Sequence, residues 1–337
     1  MPSAKPRTYN QDHIARAFAK GKRRISIYWS WSYAWESNRD LTVMDNRFST
    51  MTEVRRVAWP AYEGPEWGPD NFVQGIAGTL ELFHRSSLDF QRVAESVTGH
   101  PVAIYQRVDQ AGFPLPIDER ILADTDTLMV FGLDHLPSEL VASSEEIGAI
   151  RKWLEREGTC LLIGPHHDVG FTDDLDQRQV EYLHHGDRLV PRQQRFSAYT
   201  RSLLKALEVP VHNEYGLRPA VVKGTRDPLP LKKTEDLDKL GLLRGVTNFS
   251  FHLHLPHYRV TSAEPGVIHV LAQQSIDPDR PHPFAAAGNK EFNALLWMPP
   301  AGKRAGDILV IDSTHFTTLF GGTDSLKAFW SNLASMR

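Results

Sequence analysis

Three histidines stand close together in NFSFHLHLPHY, residues 248–258, a segment that otherwise has the apolar content of a β-strand. Because side chains alternate between the two faces of a strand, His252 and His254 are predicted to share one face. At about 3.3 Å per residue they would stand about 7 Å apart, and both rings could reach one ion. Pro256 is expected to end the strand, which leaves the direction of His257 open.

A second group of histidines follows a short apolar run. The run TCLLIG (159–164) is expected to be a buried strand, and His166, His167 and Asp168 come directly after it. The run GDILVIDST (306–314) has the same character and is followed by His315. Ligands of open α/β sheets bind at the carboxyl ends of the strands, where the connecting loops converge. We therefore predict that these groups meet the histidines of segment 248–258 at one sheet edge.

These residue types predict a metal centre. The candidate ligands are all imidazoles: His166, His167, His252, His254 and His257. The pair at 252 and 254 with any one of the others, or with Asp168, would give the three protein ligands and one open position of a catalytic zinc site. Zinc is the first choice, whereas two histidines with Asp168 would suit non-haem iron. Asp168 would be the general base or a fourth ligand, and His315 a proton shuttle or an oxyanion donor.

Plainer interpretations stand beside these. An H-x-H pair on a strand often binds nothing, and His315 could belong to a helix-capping turn. His184 and His185 lie in a polar segment, EYLHHGD, and are expected to be solvated. Cys160 precedes the apolar part of its strand and is expected to be a buried, inert thiol. Asp312, near a strand end, would orient a histidine.

Apolar runs that alternate with helical patterns supply the elements that must position these groups. Strands are expected at 25–35, 101–107, 126–133, 159–164, 209–215, 293–300 and 306–316. The spacing of apolar residues predicts helices over 71–97, 143–158, 195–209 and 325–336. Buried strands alternating with helices predict an α/β fold with a three-layer, doubly wound, mostly parallel sheet.

The chain is predicted to form one domain over residues 1–337. An aromatic-rich N-terminal loop is expected at about 29–70, and polar insertions at about 171–194 and 224–240. The aromatic side chains would either wall a pocket for a flat or apolar substrate, or pack the loop onto the core.

Composition narrows the function classes. A net charge of −3 gives no broad attraction to nucleic acid or anionic lipid, and no apolar run approaches the length of a membrane span. A single cysteine excludes an intramolecular disulfide. We expect a cytoplasmic protein with a small-molecule substrate, without nucleic-acid or membrane partners, and self-association is left open.

Three segments resemble the class I glutamine amidotransferase-like superfamily, especially its trehalose-utilisation-protein-like branch: LMVFGLDHLPSE, EREGTCLLIGPHHD and GDILVIDSTHFTTLFGG. The resemblance covers about half of the chain and implies a flavodoxin-like sandwich with a site over the strand ends. The amidotransferases carry a nucleophilic cysteine on the tight turn after the strand, where this chain has GPHH at 164–167. Cys160 lies several residues earlier, so glutaminase chemistry is not expected.

The leading hypothesis from the sequence is a metal-dependent hydrolase of a small organic substrate, with aromatic substrates included. In it, the metal ion would lower the pKa of a bound water to near 7. The alternatives are a non-haem iron redox enzyme on the same ligands, and a non-catalytic binding or assembly protein on an amidotransferase-like scaffold.

Overall fold

The computed structural model describes residues 22–30, 85–107, 114–134, 136, 139–168, 172–185, 196–249, 252, 254–319 and 321–336. Of the aromatic loop predicted at 29–70, only Trp29 and Ser30 fall within these ranges. Both belong to the first strand, and Trp29 is a core residue with its ring 5.0 Å from that of Phe131. The other aromatic residues of that loop lie outside the described ranges.

Ten strands and seven helices are described. The strands are β1 (Ile25–Ser30), β2 (Ala103–Gln106), β3 (Thr127–Gly132), β4 (Cys160–Pro165), β5 (Val211–Leu217), β6 (Lys232–Lys233), β7 (Leu255–Val260), β8 (His269–Ser275), β9 (Glu291–Met298) and β10 (Asp307–Val310). The helices are α1 (Leu88–Thr98), α2 (Glu119–Leu122), α3 (Ser144–Leu154), α4 (Leu175–His185), α5 (Ala198–Ala206), α6 (Pro283–Ala286) and α7 (Thr323–Ala334). None of these helices has the length and apolar content that a membrane crossing requires.

The main sheet has eight strands in the order β2-β1-β3-β4-β10-β9-β8-β6. Its first five strands are all parallel and follow the order 2-1-3-4-5 that defines flavodoxin-like sheets. The strands β9, β8 and β6 then extend the sheet in antiparallel fashion. The predicted α/β class and mostly parallel sheet are confirmed, and the antiparallel extension is an addition that the sequence pattern did not show.

Side chains of the parallel strands point alternately to the two faces of the sheet and pack into two separate apolar cores. Ile27 and Met129 point into one core, which α1 and α7 complete. Tyr28 and Val130 point into the other, which α3 and α5 complete. The sheet is therefore covered on both faces, as its near-continuous apolar strands predict. Helix α3 begins at a capping box formed by Ser143 and Glu146.

The strand predicted at 248–258 is displaced. Strand β7 begins at Leu255, and Pro256 lies inside it, paired with Gly216 of β5. The prediction that Pro256 ends a strand is therefore wrong. Strands β5 and β7 form a separate two-stranded antiparallel sheet, in which both strands are edges, and edge strands tolerate proline.

Regular structure also occurs in the two segments predicted as polar insertions. Helix α4 lies within 171–194. Strand β6 lies within 224–240 and pairs with β8 at the end of the main sheet, followed by a short 3-10 turn at Glu235–Leu237. Neither element has the apolar periodicity from which helices and strands are predicted, so the sequence pattern did not reveal them.

Candidate functional site

Buried acids stand at the carboxyl ends of three neighbouring parallel strands. Asp134 follows β3, Asp168 follows β4, and Asp312 follows β10, and each side chain is at most 1% exposed. In a parallel sheet these strand ends meet at one edge, which is where open α/β folds bind their ligands. A carboxylate is costly to bury unless it is paired, so the partner of each acid indicates its role.

Asp312 is paired with His166. The Nδ1 atom of the imidazole lies 3.2 and 3.3 Å from the two carboxylate oxygens, and the Thr314 hydroxyl donates to the same group at 2.6 Å. Burial by itself would raise the pKa of Asp312, but the His166 charge and these hydrogen bonds outweigh it, so the pKa is lowered. The carboxylate is thus ionised at neutral pH and oriented toward the imidazole, as the sequence predicted for Asp312.

Four histidines from two segments of the chain, with His166 of this pair among them, lie next to one another; we call His166, His167, His252 and His254 the strand-end histidines. Ring centres are 4.0 Å apart for His166 and His167, 4.2 Å for His167 and His254, and 3.9 Å for His254 and His252. His252 is partly exposed, whereas the other three are buried. The geometry thus brings these two distant histidine segments together at the sheet edge, as we predicted.

Hydrogen bonds from side chains to backbone groups fix the turn that carries His166. Ser197 accepts a hydrogen bond from the His166 amide at 2.7 Å and donates to the Gly132 carbonyl at 2.6 Å. Asn213 donates through Nδ2 to the His166 carbonyl at 2.6 Å. Ser197 has a φ of +74°, a conformation that a non-glycine residue adopts at a cost and keeps only where its surroundings fix it. The imidazole is therefore presented from a rigid turn.

Gly216 of β5 lies directly against the ring of His167. A Cβ atom built at this glycine would be 2.6 Å from Cδ2 of that ring, closer than real side chains approach. The absence of a side chain at 216 is thus what allows the His167 ring to occupy its place between its neighbours.

The other two acids are engaged in fastening the start of α5. Asp168 accepts from the Phe196 amide at 3.1 Å and from Arg201 at 2.8 Å. Asp134 accepts from the Tyr199 amide at 3.0 Å and from the Ser30 hydroxyl at 2.9 Å, and burial raises its pKa. These contacts give Asp168 a structural role and do not favour the predicted one as general base. Sequence reasoning missed Asp134, although its position directly after a buried strand was a usable signal.

His315 is close to the pair but differs from it in character. Its ring packs 4.6 Å from that of Phe249, and its backbone amide donates to the Asp312 carbonyl. Burial lowers its pKa to about 4, against the opposing effect of Asp312. The imidazole is therefore neutral at pH 7, which suits the predicted oxyanion donor better than the predicted proton shuttle.

Three further histidines gather on the flank of the sheet; we call His184, His257 and His282 the flank histidines. His257 accepts from the Asn293 amide at 3.2 Å, and its ring lies 4.7 Å from that of Phe284. The rings of His184 and His282 are 4.8 Å apart. All three are buried, and burial lowers their pKa values to about 4, 4 and 3 respectively. The prediction that His184 is solvated is wrong, and the contacts of His257 place it with the flank.

The predicted metal centre finds no counterpart in the described part of the chain: there, no group of three or more His, Cys, Asp or Glu side chains is placed to hold one ion. Two imidazoles that share a tetrahedral zinc place their ring centres roughly 5 Å apart. The strand-end rings instead pack against one another at about 4 Å. As placed, these rings do not fit a shared metal ion, and zinc or iron remains a prediction from the sequence.

The lone cysteine takes no part in the site. Cys160 is the first residue of β4, is fully buried, and has a pKa raised to about 12 by burial. A thiol in this environment is inert, which confirms the expectation for it.

The fold and site together define an α/β protein of flavodoxin-like strand order with a histidine–aspartate pair over the strand ends. No family model and no curated protein matches the chain. Among solved structures it is similar to the "mmIFT52 N-terminal domain", with a TM-score of 0.42 and 11% identity over 75% of this chain and 92% of that one. It is also similar to a ThuA-like protein from Bacteroides uniformis, with a TM-score of 0.38 and 12% identity over 94% of each chain. Similarity this weak assigns neither family nor activity.

Proposed function

We propose that this chain is a hydrolase of a small organic substrate, with His166 as its general base and Asp312 as the carboxylate that orients that base. The observation that carries the proposal is the contact of 3.2 Å between Nδ1 of His166 and the buried Asp312 carboxylate. It lies where the carboxyl ends of two adjacent parallel strands, β4 and β10, meet.

The pair can move a proton at a defined atom. An ionised Asp312 holds the proton of the imidazole on Nδ1, which leaves Nε2 of His166 as the basic nitrogen. This nitrogen can take a proton from water as the water attacks the substrate, and the carboxylate then stabilises the imidazolium that forms. The low pKa of Asp312 keeps the proton on the imidazole during this step.

The neighbouring imidazoles supply further polar groups. His167 and His254 are buried beside the base, and His252 continues the row toward solvent. A neutral or protonated imidazole N–H in a buried site can donate to the oxygen on which negative charge develops. A hydrolase needs both a base and such a donor, and this arrangement offers candidates for both roles.

We also infer a distant relationship to the glutamine amidotransferase-like superfamily, in its trehalose-utilisation-protein-like branch. The support is the flavodoxin-like strand order together with the three segments that resemble the superfamily, which supply β3, β4 and β10 with the turns that follow them. In this interpretation the nucleophilic cysteine of the elbow has been replaced, and His166 has taken its position over the sheet.

A second candidate function is a non-catalytic binding or assembly protein on the same scaffold. It is favoured by the use of two of the three strand-end acids, Asp134 and Asp168, as fasteners of α5. A scaffold that has lost its chemistry keeps such structural contacts and has no need of an oriented base.

A comparison of initial rates separates the two candidates. The probes are p-nitrophenyl acetate, p-nitrophenyl butyrate and p-nitrophenyl phosphate, with wild type and His166→Ala measured at pH 7.5. Loss of the general base is expected to lower kcat/KM for the best probe by about 10²–10⁴-fold.

His212→Ala is the matched control, because His212 is an exposed histidine on β5 and reports the background reactivity of surface imidazole. It is expected to retain the wild-type rate. If wild type hydrolyses none of the three probes faster than His166→Ala does, the base assignment is wrong and the binding-protein interpretation gains support.

A further inference from the structure

Among its described side chains, helix α4 buries two polar groups and exposes two leucines. Among its side chains that the structure describes, the buried ones are Glu181 and His184, at 4% and 0% exposure. The leucines of the same helix face outward: Leu175 is 68% exposed and Leu183 is 48% exposed. A surface helix ordinarily docks through an apolar stripe. Here the docking face contains a carboxylate and an imidazole, so polar contacts must contribute much of the attachment.

His184 supplies the most specific of these contacts. Its Nδ1–H donates to the carbonyl of Arg280 at 3.0 Å, and its Nε2 accepts from the backbone amide of Arg218 at 2.7 Å. One carbonyl accepts and one amide donates, so the two contacts fix a neutral imidazole with its proton on Nδ1. The two partners come from different segments, one directly after β5 and one shortly before α6. A single side chain therefore joins α4 to two other parts of the chain.

We propose that His184 is an acid-sensitive latch that docks α4 on the body of the protein while the imidazole is neutral and releases the helix when it is protonated. A proton taken up from solvent would add an N–H at Nε2, directly opposite the N–H of Arg218. Two donors then face each other, the hydrogen bond is lost, and a buried charge is left without an acceptor at that atom. The helix must open to give this charge access to water.

The groups around His184 set the pH at which this occurs. Burial is the main reason why its pKa is lowered to about 4, and the cationic side chains of Arg218 and Arg280 act in the same direction. Asp277 opposes them, and it is itself paired with Arg218 at 3.2 Å. His282 faces the imidazole from the start of α6. Glu181 lies one turn earlier on α4, near Tyr215 of β5.

The sign of the pH dependence follows from these values. The docked imidazole has a pKa of about 4, and an exposed one titrates near 6.5. The docked state is therefore fully favoured above about pH 6.5, and its advantage is lost as the pH falls from 6.5 toward 4. Between pH 7.5 and pH 5.0 the equilibrium constant for opening is expected to rise about 30-fold.

Amide hydrogen exchange measured by mass spectrometry on the full chain tests the latch. After correction for the intrinsic effect of pH, peptides within 175–185 are expected to lose protection about 30-fold at pH 5.0, while peptides of the central strand β4 remain more strongly protected than α4 at both pH values. Equal protection of α4 at both pH values would overturn the proposal. So would equal protection of α4 and β4 at pH 5.0, because exchange of the helix would then report global unfolding.

Two substitutions separate the latch from ordinary packing. Glutamine can donate and accept but does not titrate, so His184→Gln is expected to keep α4 protected at both pH values. His184→Phe, which fills space without hydrogen bonds, is expected to expose α4 already at pH 7.5. His212→Gln, at an exposed histidine, should respond to pH like wild type. A pH response that persists in His184→Gln would show that another group is responsible.

Discussion

The strand-end histidines and the flank histidines are two groups of buried or partly buried imidazoles of similar size. They differ in the groups to which their rings are hydrogen-bonded. His166 is paired with an ionised carboxylate and packs against another imidazole. His184 and His257, on the flank, are hydrogen-bonded to backbone groups and have pKa values of about 4. Burial without a carboxylate partner keeps the flank imidazoles neutral at pH 7, whereas the Asp312 carboxylate fixes the tautomer of His166, which in the proposed function is the general base.

The comparison teaches that the number of histidines in a segment does not identify a catalytic site. The segment 248–258 divides between the two groups: His252 and His254 join the strand-end row, while His257 packs on Phe284 of the flank. Two intervening residues, Leu255 and Pro256, thus separate a histidine of the candidate active site from one in a structural core. The partner of each ring, which only the tertiary structure supplies, decides between these roles.

The largest effect is expected when the charge of Asp312, which distinguishes the strand-end histidines from the flank histidines, is removed. Asp312→Asn keeps the size of the side chain but removes its charge, so it no longer fixes the proton on Nδ1 or stabilises the imidazolium. We expect kcat/KM for the best p-nitrophenyl ester to fall about a thousandfold, because the imidazole loses its defined tautomer. Circular dichroism should show an intact fold. A folded variant with wild-type activity would remove Asp312 from the mechanism.

The next largest effect is expected on the pH dependence of stability, because the flank histidines are neutral in the folded protein. Their pKa values of about 4, 4 and 3 lie below the ordinary 6.5, so the unfolded chain binds protons first as the pH falls. Their contribution to stability is complete above pH 6.5 and is lost toward pH 4. From pH 7.0 to 5.5 we expect the free energy of unfolding in urea to drop by about 1 kcal/mol for each of the three. His315 should add a similar amount.

His257→Gln sharpens this measurement. Glutamine can still accept from the Asn293 amide but does not titrate, so the pH dependence should shrink by about 1 kcal/mol between the same two pH values. An unchanged pH dependence would mean that His257 is accessible to protons in the folded state.

The last test uses two neighbouring residues of β5 that contact different groups. Gly216→Ala places a methyl group against the ring of His167 and should cost about 1–3 kcal/mol of stability, with about a tenfold loss of esterase rate. Tyr215→Phe keeps the ring that packs 4.9 Å from His282 and should cost less than about 1 kcal/mol, with no change in rate. Urea unfolding and initial rates measure both. Equal effects of the two changes on rate would contradict the separation of the groups.

Much of the fold was predictable because its elements have strong local signals. The apolar runs that became β3, β4 and β10 are buried on both faces of the sheet, and the capping box of α3 is encoded within four residues. Helix α4 and strand β6 were missed because their stability depends on contacts with distant segments and not on a periodic apolar face. Strand β7 was misplaced for a related reason, since its ladder with β5 decides where it begins.

The sequence by itself determined the flavodoxin-like α/β frame and the placement of histidines directly after its strands, because burial on both faces requires apolar runs and because strand ends of a parallel sheet share one edge. Only the tertiary structure decided which imidazole meets Asp312, which acids fasten α5, and which histidines are buried on the flank. Those outcomes depend on pairings between residues far apart in the chain. Such pairings fix desolvation and hydrogen bonding, and these two quantities determine what an ionisable side chain can do.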